Sequence, residues 1–295
     1  MPSSWRPFAL LVLAAACWGT GTVLSKQAVA EVPPLVLLSA QLVVSVAVLG
    51  LAMARDRATI RGLDPRLIGL GALNPGLAYA LSLIGLTSIS ASLSVLLWAI
   101  EPILILLLAS AVLRERPGGQ VAGLSVLALG GLAVVLNAPA AHVEIVGVAA
   151  TVAGIACCAA YSVGSRRWIV DAPSTLPVVF GQQVVAAGFA VSALVVGLVA
   201  GAAVLPSAVS GPGIASVVAS GVLYYGAAYL LYLSALRDLP VSVAAISFYL
   251  VPIVGVAAAA AAGETLSAIQ WAGAAITIGA VLAVGGIEIR RSVAA

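Results

Sequence analysis

The chain has 295 residues, 63% of them apolar and only 8% charged, with one His and a formal net charge of +3. A soluble domain carries about 25% charged residues, so this chain cannot cover itself with a water-friendly surface, which excludes an ordinary globular enzyme and a disordered chain. A charge this small, with no run of Lys and Arg to track phosphates, excludes a nucleic-acid partner.

The composition leaves an all-α integral membrane protein. A helical span takes roughly 20 apolar residues. Apolar runs of about that length lie at 7–28, 34–54, 66–86, 91–113, 120–137, 144–168, 175–200, 213–236, 240–262 and 269–288. Strands of a membrane barrel would alternate polar with apolar residues, and the stretch Ile103–Leu108 does not. Lipid admits only helices or closed barrels, so ten transmembrane helices are predicted.

Span one holds Trp18 near its centre and Lys26 near its outer end. Lys26 either grips a carboxylate or gates the outer mouth, or it reaches for lipid headgroups. Arg6 and the run ending Ala14-Ala15-Ala16-Cys17 loosely resemble an export and lipidation signal. The apolar run continues past Cys17, so cleavage is not expected. Gly19-Thr20-Gly21 has no strand before it and reads as close helix packing. Span three is interrupted by Asn74-Pro75-Gly76 and carries Tyr79 near its centre.

Span four contains Trp98, Glu101 and Pro102. Glu101 stands about midway along the span, where a carboxylate facing lipid costs several kcal/mol, so it is expected to face the bundle interior. Two readings stay open: an acid that couples protons or binds a substrate amine, or a structural acid beside a kink. Pro102 has no N–H to give the helix. In span eight Tyr225, Tyr229 and Tyr232, at spacings of 4 and 3, are expected to share one face. Phe248 and Tyr249 precede Pro252 in span nine. These aromatic residues either line a pocket or pack helices together. Cys17, Cys157 and Cys158 read as apolar fillers. No metal spacing and no cofactor motif is found, and an enzyme of the membrane interior would need paired acids or a His-based metal motif.

With the N-terminus inside, the cytoplasmic segments hold Arg6; Arg55, Arg57, Arg61 and Arg66; Arg114 and Arg116; Arg166 and Arg167; Arg237; and Arg290 and Arg291. Only Lys26 of the thirteen basic residues is then outside. This bias predicts ten spans with both termini cytoplasmic. Trp5, Trp168 and Trp271 fall at span ends, as an aromatic belt requires.

The halves resemble each other. Gly76-Leu77-Ala78-Tyr79 matches Gly226-Ala227-Ala228-Tyr229 at a shift of 150, and Pro102 pairs with Pro252, Gln120 with Gln270 and Gly123 with Gly273 at the same shift. Nearer the start of each half Cys17 pairs with Cys157, Ser25 with Ser165 and Lys26 with Arg166, and Glu115 pairs with Glu264 after a one-residue adjustment. The expected units are residues 1–138 and 139–295, joined at Ala138-Pro139-Ala140-Ala141 before His142. Five spans per unit is an odd number, so the second enters the membrane from the opposite side. Inverted repeats of this kind are built around a substrate site in secondary transporters.

Trp18-Gly19 with Lys26, the stretch Trp98-Ala99-Ile100-Glu101-Pro102, then Glu115, Gln120 and Gly123, and in the second half Pro252, Gly263-Glu264, Gln270 and Gly273, together resemble the drug/metabolite transporter superfamily, in particular its EamA-type ten-helix exporters. The resemblance implies a central cavity lined by the third, fourth, eighth and ninth helices and parts of the first and sixth. It implies export of small metabolites such as amino acids, with one branch exporting aromatic amino acids. Gln41 stands where many relatives carry Arg, and Cys158 where an aromatic often sits.

The expectation is therefore a secondary transporter in the cell's cytoplasmic membrane. It exports a small metabolite by alternating access, with the lipid bilayer and a small-molecule substrate as partners and protons as a candidate driving ion. Trp18, Tyr79, Trp98, Glu101, Tyr225, Tyr229, Phe248 and Tyr249 are the candidate substrate-binding residues. Glu101, Lys26, Pro102 and Pro252 are the candidates for coupling or gating. The alternative is a non-transporting scaffold or a lipid-handling membrane protein.

Overall fold

A computed structural model describes residues 6–113, 119–136, 144–169, 172, 174–236, 248 and 250–294. Among the described residues all regular structure is helical, with no strand. The elements are α1 (Arg6–Val29), α2 (Pro34–Asp56), α3 (Pro65–Gly69), α4 (Ala78–Ser88), α5 (Ala91–Trp98), α6 (Glu101–Leu113), α7 (Gly119–Leu136), α8 (Ile145–Ile169), α9 (Thr175–Val199), α10 (Gly211–Ser220), α11 (Ala228–Leu236), α12 (Leu250–Ala261) and α13 (Ala268–Ala294). Short tight and widened turns over Leu70–Leu77 join α3 to α4, and a widened turn over Gly221–Ala227 joins α10 to α11.

Among the described residues six stretches are long and apolar enough to cross a membrane: Ala9–Val29, Pro34–Asp56, Pro65–Ser88, Ile145–Ser165, Thr175–Val199 and Gly211–Ala235. Shorter apolar stretches cover Ala91–Ile105, Val126–Val135, Leu250–Ala261 and Ala268–Ala280. The expected Glu115, His142, Arg114, Arg116, Arg237 and Tyr249, together with Trp5 and the 138–141 linker, lie outside the described residues. Trp271, in the first turn of α13, is half exposed.

Local chemistry sets the helix ends. Asp64 accepts the Arg66 N–H at 2.8 Å ahead of Pro65, and Ser90 and Ser210 accept the N–H groups of Leu93 and Gly213 at 3.1 Å. These are side-chain N-caps, each meeting an amide the helix cannot satisfy itself. At α13 the Ser267 hydroxyl accepts the Gln270 N–H while Gln270 Oε1 accepts the Ser267 N–H. That reciprocal pair is a capping box.

The surface differs from that of a water-soluble protein, and amides join the apolar residues of the interior. Val199 is 85% exposed and Leu51 74%, whereas Gln41, Gln182 and Gln183 are 0% exposed. Apolar residues outside and amides inside suit a lipid surround, where a polar group must find its partners within the bundle. Gln41 Nε2 donates to Ser25 Oγ at 3.0 Å and to Ser220 Oγ at 2.6 Å. Gln182 Nε2 donates to the Leu67 carbonyl at 2.9 Å, and its Oε1 accepts the Tyr161 hydroxyl at 2.8 Å. Gln41 and Gln182 thus each tie their own half of the chain to the other.

Helix contacts follow the same exchange. α2 packs on α9 and α7 on α13; α4 packs on α8 as α1 does on α11; α5 and α6 pack on α8 as α12 does on α1. Glycines bring several of these pairs close. A Cβ on Gly19 would stand 2.7 Å from the Gly255 backbone nitrogen, and one on Gly131 2.7 Å from the Gly273 carbonyl. The expected close packing around Gly19 is therefore present, while Gly130 beside Gly131 faces open space.

The helix is interrupted ahead of Pro102, as its missing N–H requires: α5 ends at Trp98, and Glu101 and Pro102 open α6. Pro252 likewise lies in the first turn of α12. Proline suits a first turn, whose N–H groups have no helical partner in any case. A second matched pair of breaks is formed by the widened turns, Leu73–Leu77 and Gly221–Ala227. The first of these holds Asn74 in extended backbone at φ −144°, ψ 119°.

Candidate functional site

The widened turns and the α5–α6 break face a common central cavity of about 590 Å3, part of it open to solvent. Span one contributes Trp18 and Thr22, the first widened turn and α4 give Asn74 and Tyr79, and the α5–α6 break gives Trp98 and Glu101. From the second half come Cys158, Tyr161 and Ser162 of α8, Tyr224, Tyr229, Tyr232 and Leu233 around the second widened turn, and Phe248 and Val251.

Six of the expected binding residues therefore meet: Trp18, Tyr79, Trp98, Glu101, Tyr229 and Phe248. Tyr225 does not line this cavity; it faces a neighbouring one, and its carbonyl accepts Gln183 Nε2 at 2.9 Å. The cause is the widened turn. A π turn bonds each N–H to the carbonyl five residues back rather than four and so takes up an extra residue, and Tyr224, five before Tyr229, takes the cavity-facing position that the α-helical spacing gave to Tyr225. Thr22, Cys158, Tyr161, Ser162 and Tyr224 were not among the candidates. Cys158, Tyr161, Ser162 and Ser165 are spaced 3, 4 and 7 along α8, a polar face legible in advance.

The aromatic rings form one connected wall. Trp18 stacks on Phe248 at 5.4 Å between centroids and meets Tyr232 and Tyr229 edge-on at 5.4 and 5.7 Å. Tyr79 contacts Trp98 at 5.7 Å, Tyr224 at 5.1 Å and Tyr225 at 5.2 Å. Edge-on and tilted contacts at these separations are the favoured geometries for aromatic pairs. The Tyr229 hydroxyl donates to Asn74 Oδ1 at 2.8 Å, so the extended residue of one half is held by the ring of the other.

Glu101 is 5% exposed. Its carboxyl has no hydrogen-bond partner among the described residues, though its place in the first turn of α6 sets it at that helix's positive end. The Trp18 indole N–H is likewise buried without a partner among them.

A second, smaller cavity adjoins the first across Tyr79, Trp98 and Tyr224 and is lined by the hydroxyls of Ser25, Ser82 and Ser94. It ends near Leu86, where Lys26 stands. Lys26 lies outside both cavities. Its Nζ donates to the carbonyls of Leu86 at 2.8 Å and Ile89 at 2.7 Å, at the end of α4. Glu264 answers it from the second half: its carboxylate accepts the N–H groups of Ala91 and Ser92 at 2.8 and 2.9 Å and the Ser92 hydroxyl at 2.7 Å. A cation on a helix C-terminus and an anion on a helix N-terminus both oppose the local dipole. Pro102 and Pro252 are buried and line neither cavity. Among the described residues no cluster of His, Cys, Asp or Glu could hold a metal.

The sequence profile of the EamA-like transporter family matches residues 5–137 and, a second time, residues 145–286. A protein of known crystal structure shares the fold, with a TM-score of 0.72 at 22% identity over 97% of this chain and 99% of its own. Among curated proteins nothing matches.

Proposed function

The chain belongs to the EamA-like transporter family, and from that premise we propose that it is a secondary transporter that exports a small metabolite, such as an amino acid, by alternating access through the central cavity. Members of the family are transporters rather than enzymes, and the chain is a multi-pass membrane protein that moves small solutes. The reading adds ten spans in two inverted repeats, residues 1–138 and 139–295, in the cytoplasmic membrane with both termini inside. The exchange of helix contacts between the halves and the double match to one family profile support it. Two similar packings of one repeat against the other give the two openings that alternating access needs.

The observation that carries the reading is the Glu101 carboxyl, buried, without a hydrogen-bond partner among the described residues and walled by aromatic rings at a helix break. An ionisable group so placed is expected to be functional. Glu101 is assigned to solute binding or proton coupling, Trp18, Tyr79, Trp98, Tyr229 and Phe248 to the walls, and Lys26 with Glu264 to closing the far end. Tyr225 keeps a place only as a neighbour of that wall, Tyr249 stays a candidate by its sequence position beside Phe248, and Pro102 and Pro252 serve as rigid starts of the helices that move. The test is uptake of labelled amino acids and other small metabolites into liposomes holding the purified chain. Solute flux that falls in Glu101→Gln and Trp18→Ala upholds the proposal. A Glu101→Gln variant with unchanged flux and pH dependence removes the coupling role, and no flux with any solute favours the scaffold.

A further inference from the structure

Among the described residues that line the central cavity, Glu101 is the one carboxylic acid, and no Lys, Arg or His is among them. Lys26, at the end of α1, is engaged by the carbonyls of Leu86 and Ile89 and lies within the field of Glu264. The rest of the wall is aromatic ring, thiol and hydroxyl, with the Asn74 amide and the aliphatic Leu233 and Val251, and Phe248, Trp18, Tyr229 and Tyr79 are linked ring to ring in that order. Resting on the transporter reading above, we infer that the solute is an organic monocation: an amine or ammonium compound with no free carboxylate.

Three physical reasons select that class. An ammonium group gives the Glu101 carboxylate the charge-assisted hydrogen bonds that the described residues do not supply. Aromatic faces attract a cation through their ring quadrupole, most strongly when the cation is out of water. A zwitterion or an anion, by contrast, brings in a carboxylate that meets Glu101 as a like charge and finds no cation among the described lining residues, and an unpaired buried charge is strongly disfavoured. The Trp18 indole N–H, buried and without a described partner, matches a neutral oxygen, such as a hydroxyl or amide carbonyl, rather than a second charge. Amino acids with a free carboxyl group are thus poorer occupants than the amines that correspond to them.

Titration calorimetry on the detergent-solubilised full chain tests this with three probes that share a ring and linker: phenethylamine, phenylalanine and 3-phenylpropionate. Phenethylamine is expected to bind about tenfold more tightly than either of the others, a preference lost in Glu101→Gln and kept in Glu101→Asp. Equal or tighter binding of phenylalanine overturns the inference, as does a preference for the amine that survives Glu101→Gln. The comparison among probes on the unaltered chain stands even if a variant fails to fold. Counterflow in liposomes with trimethylphenethylammonium, whose fixed charge prevents leakage, separates this inference from the transporter reading. Flux of phenylalanine without flux of the ammonium probe removes the cation and leaves the carrier. Binding of the amine without flux of any solute upholds the ligand class and removes the carrier.

Discussion

The hydroxyls of Tyr79 and Tyr229 meet at 3.3 Å although the two residues are 150 positions apart. They are also partners in the repeat, each the last residue of its Gly-x-Ala-Tyr stretch. Equivalent residues of two copies can touch only where the copies meet, so this contact marks the seam between the halves at the wall of the cavity.

That seam is asymmetric in its hydrogen bonding, because the Tyr229 hydroxyl also donates to Asn74 Oδ1. Tyr229→Phe leaves Asn74 short of a donor in a buried site, at a cost of about 1–3 kcal/mol. Tyr79→Phe removes only the longer contact and is expected to cost less. Thermal unfolding of the two variants in the same detergent checks the order; equal losses would refute it.

Lys26 and Glu264 secure the α4–α5 junction from opposite sides. Lys26→Met leaves two carbonyls without their donor, and Glu264→Gln weakens three bonds to the start of α5. Each is expected to destabilise by about 1–3 kcal/mol. Since both act on one junction, the double variant should lose less than the sum of the singles, which a double-mutant cycle reads directly.

Adjacent glycines in α7 give opposite outcomes. Gly131→Ala drives a methyl group into the Gly273 carbonyl and should cost about 1–3 kcal/mol. Gly130→Ala meets nothing within 4 Å and should stay within about 0.5 kcal/mol of the parent. Unfolding midpoints of the pair decide it; a destabilised Gly130→Ala would mean that this face of α7 is covered by something else.

Outside the membrane, Glu31 accepts the Ser210 N–H at 2.6 Å and the Ser210 hydroxyl at 2.7 Å. These bonds hold its carboxyl below the usual range. A depressed value means that the tether is fully formed above the ordinary carboxylate pKa, about 4.3, and is lost as the pH falls through the lower, folded value. Hydrogen exchange of the 205–213 segment, corrected for the intrinsic pH effect, should speed up across that acid window. In Glu31→Gln it should be fast already at neutral pH.

Much of the architecture was legible because hydropathy alone sets where apolar helices start and stop, and Asn74-Pro75-Gly76 announced its own break. The wall of the cavity was only partly legible. Tyr225 was chosen over Tyr224 because the spacing rule assumes an α-helix, and nothing in Gly221–Ala227 declares a wider turn. Glu264, at a span end, is legible as a helix cap, but which helix it caps is not, since α5 lies far away in sequence; Lys26 carries no local sign of the carbonyls it meets. Ser267 and Gln270 differ again, because Ser-x-x-Gln is itself a capping pattern.

The cap on α5 also bears on how the protein is made. The amides of Ala91 and Ser92 wait for an acceptor that lies 173 and 172 residues further along. While the chain is being synthesised, N-terminal end first, that helix start enters the bilayer with only its Ser90 cap, and the Ala91 and Ser92 amides stay without Glu264 until the ribosome has produced nearly the whole polypeptide. A truncated product that ends before Glu264 is therefore left with an unfinished first half, a recognisable mark for quality-control proteases.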